Sequence, residues 1–163
     1  SAQLPDHGSY VIRYPRGCGV LVDWRNKMEE IKTGTGRKLK DGEDVAVLTI
    51  GPIGNDAIQA IEEVEKETKM SVAHYDMRFV KPLEENILTE GGKKRKRTVT
   101  IQDGVRMGGM GSAVLEWMSD HGYQPQITRL GLPDDFVEHG TVEQLREIVH
   151  LDHKSIKNAI IGK

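Results

Sequence analysis

The sequence predicts an α/β fold: a three-layer α/β/α sandwich around a mixed five-stranded sheet, four strands parallel and one antiparallel at an edge. Three observations carry this. Val45–Ile50 (VAVLTI) is an unbroken apolar, β-branched run of the kind that forms a strand buried on both faces. Strand-like runs then alternate with stretches of helical periodicity to the end of the chain, the pattern of parallel strands joined by right-handed crossovers. Arg37–Lys40 (RKLK) is instead short and charged, as suits an edge strand guarded against unwanted pairing.

In chain order, residues 10–20 (YVIRYPRGCGV) come first, with 11–14 reading as a strand that has no earlier element to pair with. The expectation is that the chain starts inside a larger protein and that this orphan strand borrows a sheet edge. Residues 18–36 contain glycines and lack clear periodicity, which suits a linker. Asp41-Gly42 separates RKLK from VAVLTI, and a DG pair predicts a tight hairpin with positive φ at the turn. Ile53, Ala57, Ile61, Val64 and Thr68 recur at helical spacing among Glu and Lys, predicting a helix over residues 55–69. A strand at 71–75, a short helix at 84–89 after Pro82 and a strand at 97–101 follow. Gly108, Gly109 and Gly111 open a helix with Met110, Val114, Trp117, Met118 and His121 on one side, closed by Gly122. A strand at 126–130 comes next. Thr141 with Gln144 predicts a capping box opening a helix to about Val149, and Asp152 is placed to cap the last helix.

The composition narrows the function classes. The 163 residues suffice for one packed domain without disulfides or metals. Net charge is −2, from 23 Lys and Arg against 25 Asp and Glu, so no overall field favours nucleic acid or an anionic membrane. The single cysteine, Cys18, forms no internal disulfide and no metal-finger spacing, which fits a reducing, cytoplasmic setting. No apolar run approaches the ~20 residues of a spanning helix.

The candidate chemistry is sparse. GVRMGGMGS (residues 104–112) precedes a helix and could hold an anion, but matches neither the Walker pattern nor GxGxxG; close helix–strand approach is the favoured use of its glycines. HLDH (His150, Asp152, His153) has no metal-site spacing and reads as surface or capping residues. KKRKR (residues 93–97) lacks interleaved aromatics and reads as a solvated connector. Asp76, Asp103, Asp134 and Asp135 fall at strand ends, where α/β sheets place their sites, though turn and capping roles explain them as readily. Ser112 with His121 or His139 has no nucleophile elbow around it. Arg13 and Arg16, in RYPRG, leave two readings open. Pro15 stiffens the segment so that Arg16 can grip a phosphate in bidentate fashion, and a surface salt bridge is the alternative.

RYPRG at 13–17, DMRFVKPLEENIL at 76–88, GGMGSAVLEWMSDHG at 108–122 and RLGLPDDFVEHGT at 129–141 together resemble, in order, the 1-deoxy-D-xylulose-5-phosphate synthase family. The resemblance spans the whole chain and implies its organisation: residues 1–17 as the tail of the middle, pyrimidine-binding domain, 18–36 as linker, and 37–163 as a C-terminal domain of transketolase type. It implies a parent enzyme that uses thiamine diphosphate and Mg²⁺ to decarboxylate pyruvate and join the two-carbon unit to glyceraldehyde 3-phosphate. The family's GDG-type cofactor motif is absent here, so the resemblance places no catalytic residue, cofactor contact or metal ligand on this chain. It assigns one site residue, Arg16, to the substrate phosphate. The implied partners are the amino-terminal and middle domains of the same enzyme, in a full-length homodimer, with no nucleic acid and no membrane. Met110, Trp117, Met118 and Trp24 offer apolar area for docking, with core packing the favoured role of the helix residues. Two departures are Gln102, where relatives carry an acid, and Glu84, where they carry aspartate. The rival readings are another transketolase-superfamily enzyme, or an interaction module without catalysis.

Overall fold

A computed structural model describes residues 1–5, 8–12, 14, 19, 27 and 29–163, in two units, Ser1–Lys32 and Thr33–Lys163. In the first unit the Leu4 N–H donates to Ser1 O (3.1 Å) and the Ile31 N–H to Ser1 Oγ (2.9 Å). Val11, Ile12 and Tyr14 are outside any strand and exposed, Val11 at 97%. The edge pairing expected for 11–14 is therefore not found at these residues. Alternating apolar side chains specify a face to be buried but no partner, and among the described residues of the unit no strand pairs with them.

The second unit contains β1 (Arg37–Lys40), β2 (Val45–Ile50), α1 (Ile53–Thr68), β3 (Val72–Asp76), α2 (Glu85–Lys94), β4 (Arg97–Val105), α3 (Met110–Asp120), β5 (Gln126–Leu132), α4 (Val142–Ile148) and α5 (His153–Ile161). The strands form one sheet in the order β1-β3-β2-β4-β5, parallel except for β1 at the edge. Successive residues of β2 point to opposite faces and both faces are covered, which is why the run is apolar throughout. Val45 and Val47 pack with Ile53, Ile61, Val64, Ile156 and Ile160 of α1 and α5. Ala46 and Leu48 pack with Leu88, Met110, Val114 and Met118 of α2 and α3. Each fully buried Leu, Ile or Met contributes about 1.5–3 kcal/mol.

One local expectation fails instructively. β1 and β2 do not form a hairpin; β1 runs antiparallel to β3, with Lys38 opposite Tyr75. Gly42 does not take a positive φ. Its hydrogen is needed for another reason: a Cβ there would stand 2.2 Å from the Val72 carbonyl carbon. α2 also continues to Lys94, well past residue 89, because its glycines are packing surfaces and not a stop signal. A Cβ on Gly92 would lie 2.6 Å from the Tyr123 ring, and Gly91 is buried. Glu84 is its N-cap, accepting from the Asn86 N–H. The predicted capping box of Thr141 and Gln144 is present, and Asp152 caps α5 through the Ser155 N–H.

Candidate functional site

In a sheet of this topology the strand order reverses between β2 and β4, and the crevice beyond their carboxyl ends is where ligands ordinarily bind. Here that end is occupied by the protein's own side chains. Arg146 of α4 reaches Asp56 at the start of α1 (3.0 Å) and Asp103 at the end of β4 (4.0 Å). One guanidinium thus ties together the three elements that would otherwise frame an opening.

The glycine loop beside it is equally self-contained. Gln102 Oε1 accepts from the Gly111 N–H (2.9 Å), and its Nε2 donates to the Val105 carbonyl. The amide thus fills the start of α3, where an anion would sit. A carboxylate could accept from Gly111 but could not donate to Val105, which accounts physically for an amide at this position. Ser112 Oγ accepts from the Gly108 N–H (3.0 Å) and from Arg129 Nη1 (2.9 Å), and donates to Arg106 O (3.2 Å). Gly109 and Gly111 have no space for a side chain, since added Cβ atoms would meet Gln102 Nε2 at 2.1 Å and Thr100 Oγ1 at 2.6 Å. These glycines permit close approach of helix to strand, as the sequence suggested.

The remaining candidates do not converge. Asp76 pairs with Arg37 (3.0 Å) and lies 3.8 Å from Arg78, Asp103 faces Arg146, and Asp134 and Asp135 are exposed, Asp135 accepting from the Phe136 N–H. Asp152 caps a helix, His153 Nε2 meets Glu63 (3.1 Å), and among the described residues no three His, Cys, Asp or Glu gather as a metal site. His121 stacks on Trp117 at 3.9 Å, so it does not serve Ser112; Met110 and Met118 are core residues and Trp117 is half-buried in that stack. Arg16, Arg13, Cys18 and Trp24 lie outside the described residues.

Two features escaped the sequence reading. The run KKRKR is only half a solvated connector: its lysines are exposed, but Arg95 is 4% exposed and donates through Nε (2.9 Å) and Nη2 to Gly42 O. Arg97 donates to the carbonyls of Ala159, Ile160 and Ile161 at 3.0–3.2 Å, capping the negative end of α5. Pattern could not separate them, because long cations turn inward or outward according to tertiary partners. The second is His74, buried between β1 and β2. The Thr49 hydroxyl donates to Tyr75 O (3.2 Å), so at 2.9 Å it accepts from the neutral ring at Nε2. Burial, opposed by Asp76, pushes the imidazole down to about 4.

Among the described residues, two cavities open to the surface. One of about 230 Å³ lies beside the end of α3, lined by Leu115, Met118 and Tyr123. The other, about 320 Å³, lies between residues 133–138 and the end of α4, lined by Phe136, Val137, Ile148 and Val149 with Asp135 and Glu138.

Comparison with known proteins places this domain in a family. The chain is 57% identical over 162 residues to a 1-deoxy-D-xylulose-5-phosphate synthase of Phocaeicola vulgatus, covering 99% of this chain and 26% of that protein. It is 58% identical over 160 residues to the synthase of Bacteroides fragilis, covering 98% and 25%. The chain therefore spans about a quarter of the length of these relatives. Among solved structures, a split-gene transketolase described as an inactive beta4 tetramer matches 82% of this chain and 42% of its own, with TM-score 0.74 and 28% identity. The transketolase of Campylobacter jejuni, at 15% identity and TM-score 0.52, shares the fold. Residues 34–156 match the model of the transketolase C-terminal domain, and the chain belongs to that family.

Proposed function

We propose that this chain serves as the C-terminal supporting lobe of a 1-deoxy-D-xylulose-5-phosphate synthase and is inactive alone. The parent decarboxylates pyruvate and condenses the two-carbon unit with glyceraldehyde 3-phosphate, supplying isoprenoid and thiamine synthesis. The observation that carries the reading is identity near 57% along 99% of the chain, against about a quarter of the relatives' length. In this reading residues 1–17 end the pyrimidine-binding domain, 18–36 link, and 37–163 form the lobe. The parent works as a cytoplasmic homodimer with thiamine diphosphate and Mg²⁺.

The described residues do not fit the cofactor. The start of α3 is filled by Gln102, the sheet crevice is bridged by Arg146, and no acidic or imidazole cluster gathers there. The reading accordingly assigns cofactor, metal and carbanion chemistry to the preceding domains, and to this chain one substrate contact, Arg16 on the phosphate of glyceraldehyde 3-phosphate.

The test joins this chain to the upstream three-quarters of the Phocaeicola vulgatus synthase. The hybrid is expected to form 1-deoxy-D-xylulose 5-phosphate, and the isolated chain to form none. Arg16→Ala in the hybrid should raise KM for glyceraldehyde 3-phosphate roughly 10–100-fold with little change for pyruvate. A folded but inactive hybrid, or activity in the isolated chain, would overturn the reading.

A further inference from the structure

The segment 133–149 presents a surface that the fold leaves unfinished. Phe136 is fully exposed, and α4, although amphipathic in sequence, buries no residue: Val142 is 59% and Ile148 65% exposed. Between Phe136 and Ile148 lies the cavity of about 320 Å³. Its frame is acidic. Asp135 and Glu138 line the cavity, and these two with Asp134, Glu143 and Glu147 of the same segment are exposed, none paired with a cation among the described residues. The one cation of the segment, Arg146, is turned away to Asp56 and Asp103. An apolar opening with two unpaired carboxylates, Asp135 and Glu138, at its lip has the anatomy of a protein interface, a hydrophobic core with a polar rim.

The charge selects the occupant. A second copy docking through the same face would bring two acidic rims together, and an anionic membrane would be repelled in the same way. We propose that residues 133–149 dock an apolar side chain flanked by lysine or arginine, presented by the preceding domains of the same enzyme. This rests on the reading of the chain as one lobe of a larger synthase. Phe136 and Ile148 form the anchor pocket. Asp135 and Glu138 at its lip select for the cationic flanks and set the orientation.

The experiment is hydrogen exchange on the isolated chain and on the Phocaeicola vulgatus hybrid, read over residues 133–149. In the hybrid, exchange there should slow at least about tenfold. Phe136→Asp should return it to the rate of the isolated chain, and Asp135→Lys with Glu138→Lys should recover most of that rate. Ile58→Asp, on the exposed side of α1, should leave the protection intact. An active hybrid whose segment exchanges as fast as in the isolated chain overturns the docking proposal and leaves the synthase reading standing. An inactive hybrid in which the segment is protected and released by Phe136→Asp retains the docking site and sinks the synthase reading. Protection insensitive to the lysine pair removes the acidic rim from the proposal. Self-association of the isolated chain abolished by Phe136→Asp assigns the face to a second copy and overturns it as well.

Discussion

Two charged regions of this protein depart in opposite directions from the roles their sequences suggest. The basic run 93–97 reads as a solvated connector, yet its arginines are turned into the fold, one holding the Gly42 carbonyl and the other the end of α5. The acidic stretch 134–147 looks like turns and helix caps, yet within it Phe136 is fully exposed and α4 buries no residue. Charge density therefore says little about use until the partners are known. A buried cation held by carbonyls is part of the core, whereas an exposed anion beside an exposed phenyl ring belongs to a surface.

The comparison is most exposed to test at Arg95. Arg95→Ala leaves Gly42 O without its partner and empties the space over the Tyr75 ring, 5.6 Å from the guanidinium. The expected loss is about 3–4 kcal/mol in urea unfolding, since it combines an orphaned buried acceptor with a cavity. Lys96→Ala, one residue along and exposed, should stay within about 0.5 kcal/mol. Equal effects at the two positions would return the whole run to the surface.

A second test separates packed polar groups from exposed ones by pH. His74 is 1% exposed and its imidazole is pushed down to about 4 from 6.5. The unfolded chain therefore binds more protons between those values, and stability falls as pH drops from 6.5 toward 4, then levels off. The full span is worth roughly 3 kcal/mol. Asp76 opposes the shift and Arg37 adds to it. His74→Gln should flatten this part of the profile while keeping a donor toward Thr49. A profile as steep as that of the unsubstituted chain would mean that the acid sensitivity originates elsewhere.

Most of the architecture was legible because it follows from short-range rules. The double-sided burial of VAVLTI, the helical spacing from Ile53, the capping box at Thr141 and the cap at Asp152 depend on neighbours within a few residues, and each matches the structure. What could not be read depends on tertiary contact. Asp41-Gly42 carries a hairpin signal, but β1 takes β3 as its partner and Gly42 is needed against Val72. The helix after Pro82 is expected over residues 84–89, but α2 runs on to Lys94 with Gly91 and Gly92 lying against Met118 and Tyr123. At the candidate site, the role of Gln102 requires knowing that Gly111 and Val105 are both within its reach. Arg16, named through family resemblance, falls outside the described residues.

The smallest expected effect tests the other half of the comparison. Phe136 is 100% exposed, so Phe136→Asp in the isolated chain removes no buried area and should change unfolding stability by less than about 0.5 kcal/mol. An aromatic residue that belonged to the core would lose about 3–5 kcal/mol on truncation. The measurement therefore has a wide margin. Near-neutrality means that this large apolar side chain contributes nothing to the lobe that displays it, the thermodynamic mark of a residue held for contact with something else. A loss above about 1.5 kcal/mol would place the ring against its own unit in solution, close the cavity between it and Ile148, and reduce the acidic stretch to the turns and caps its sequence suggests.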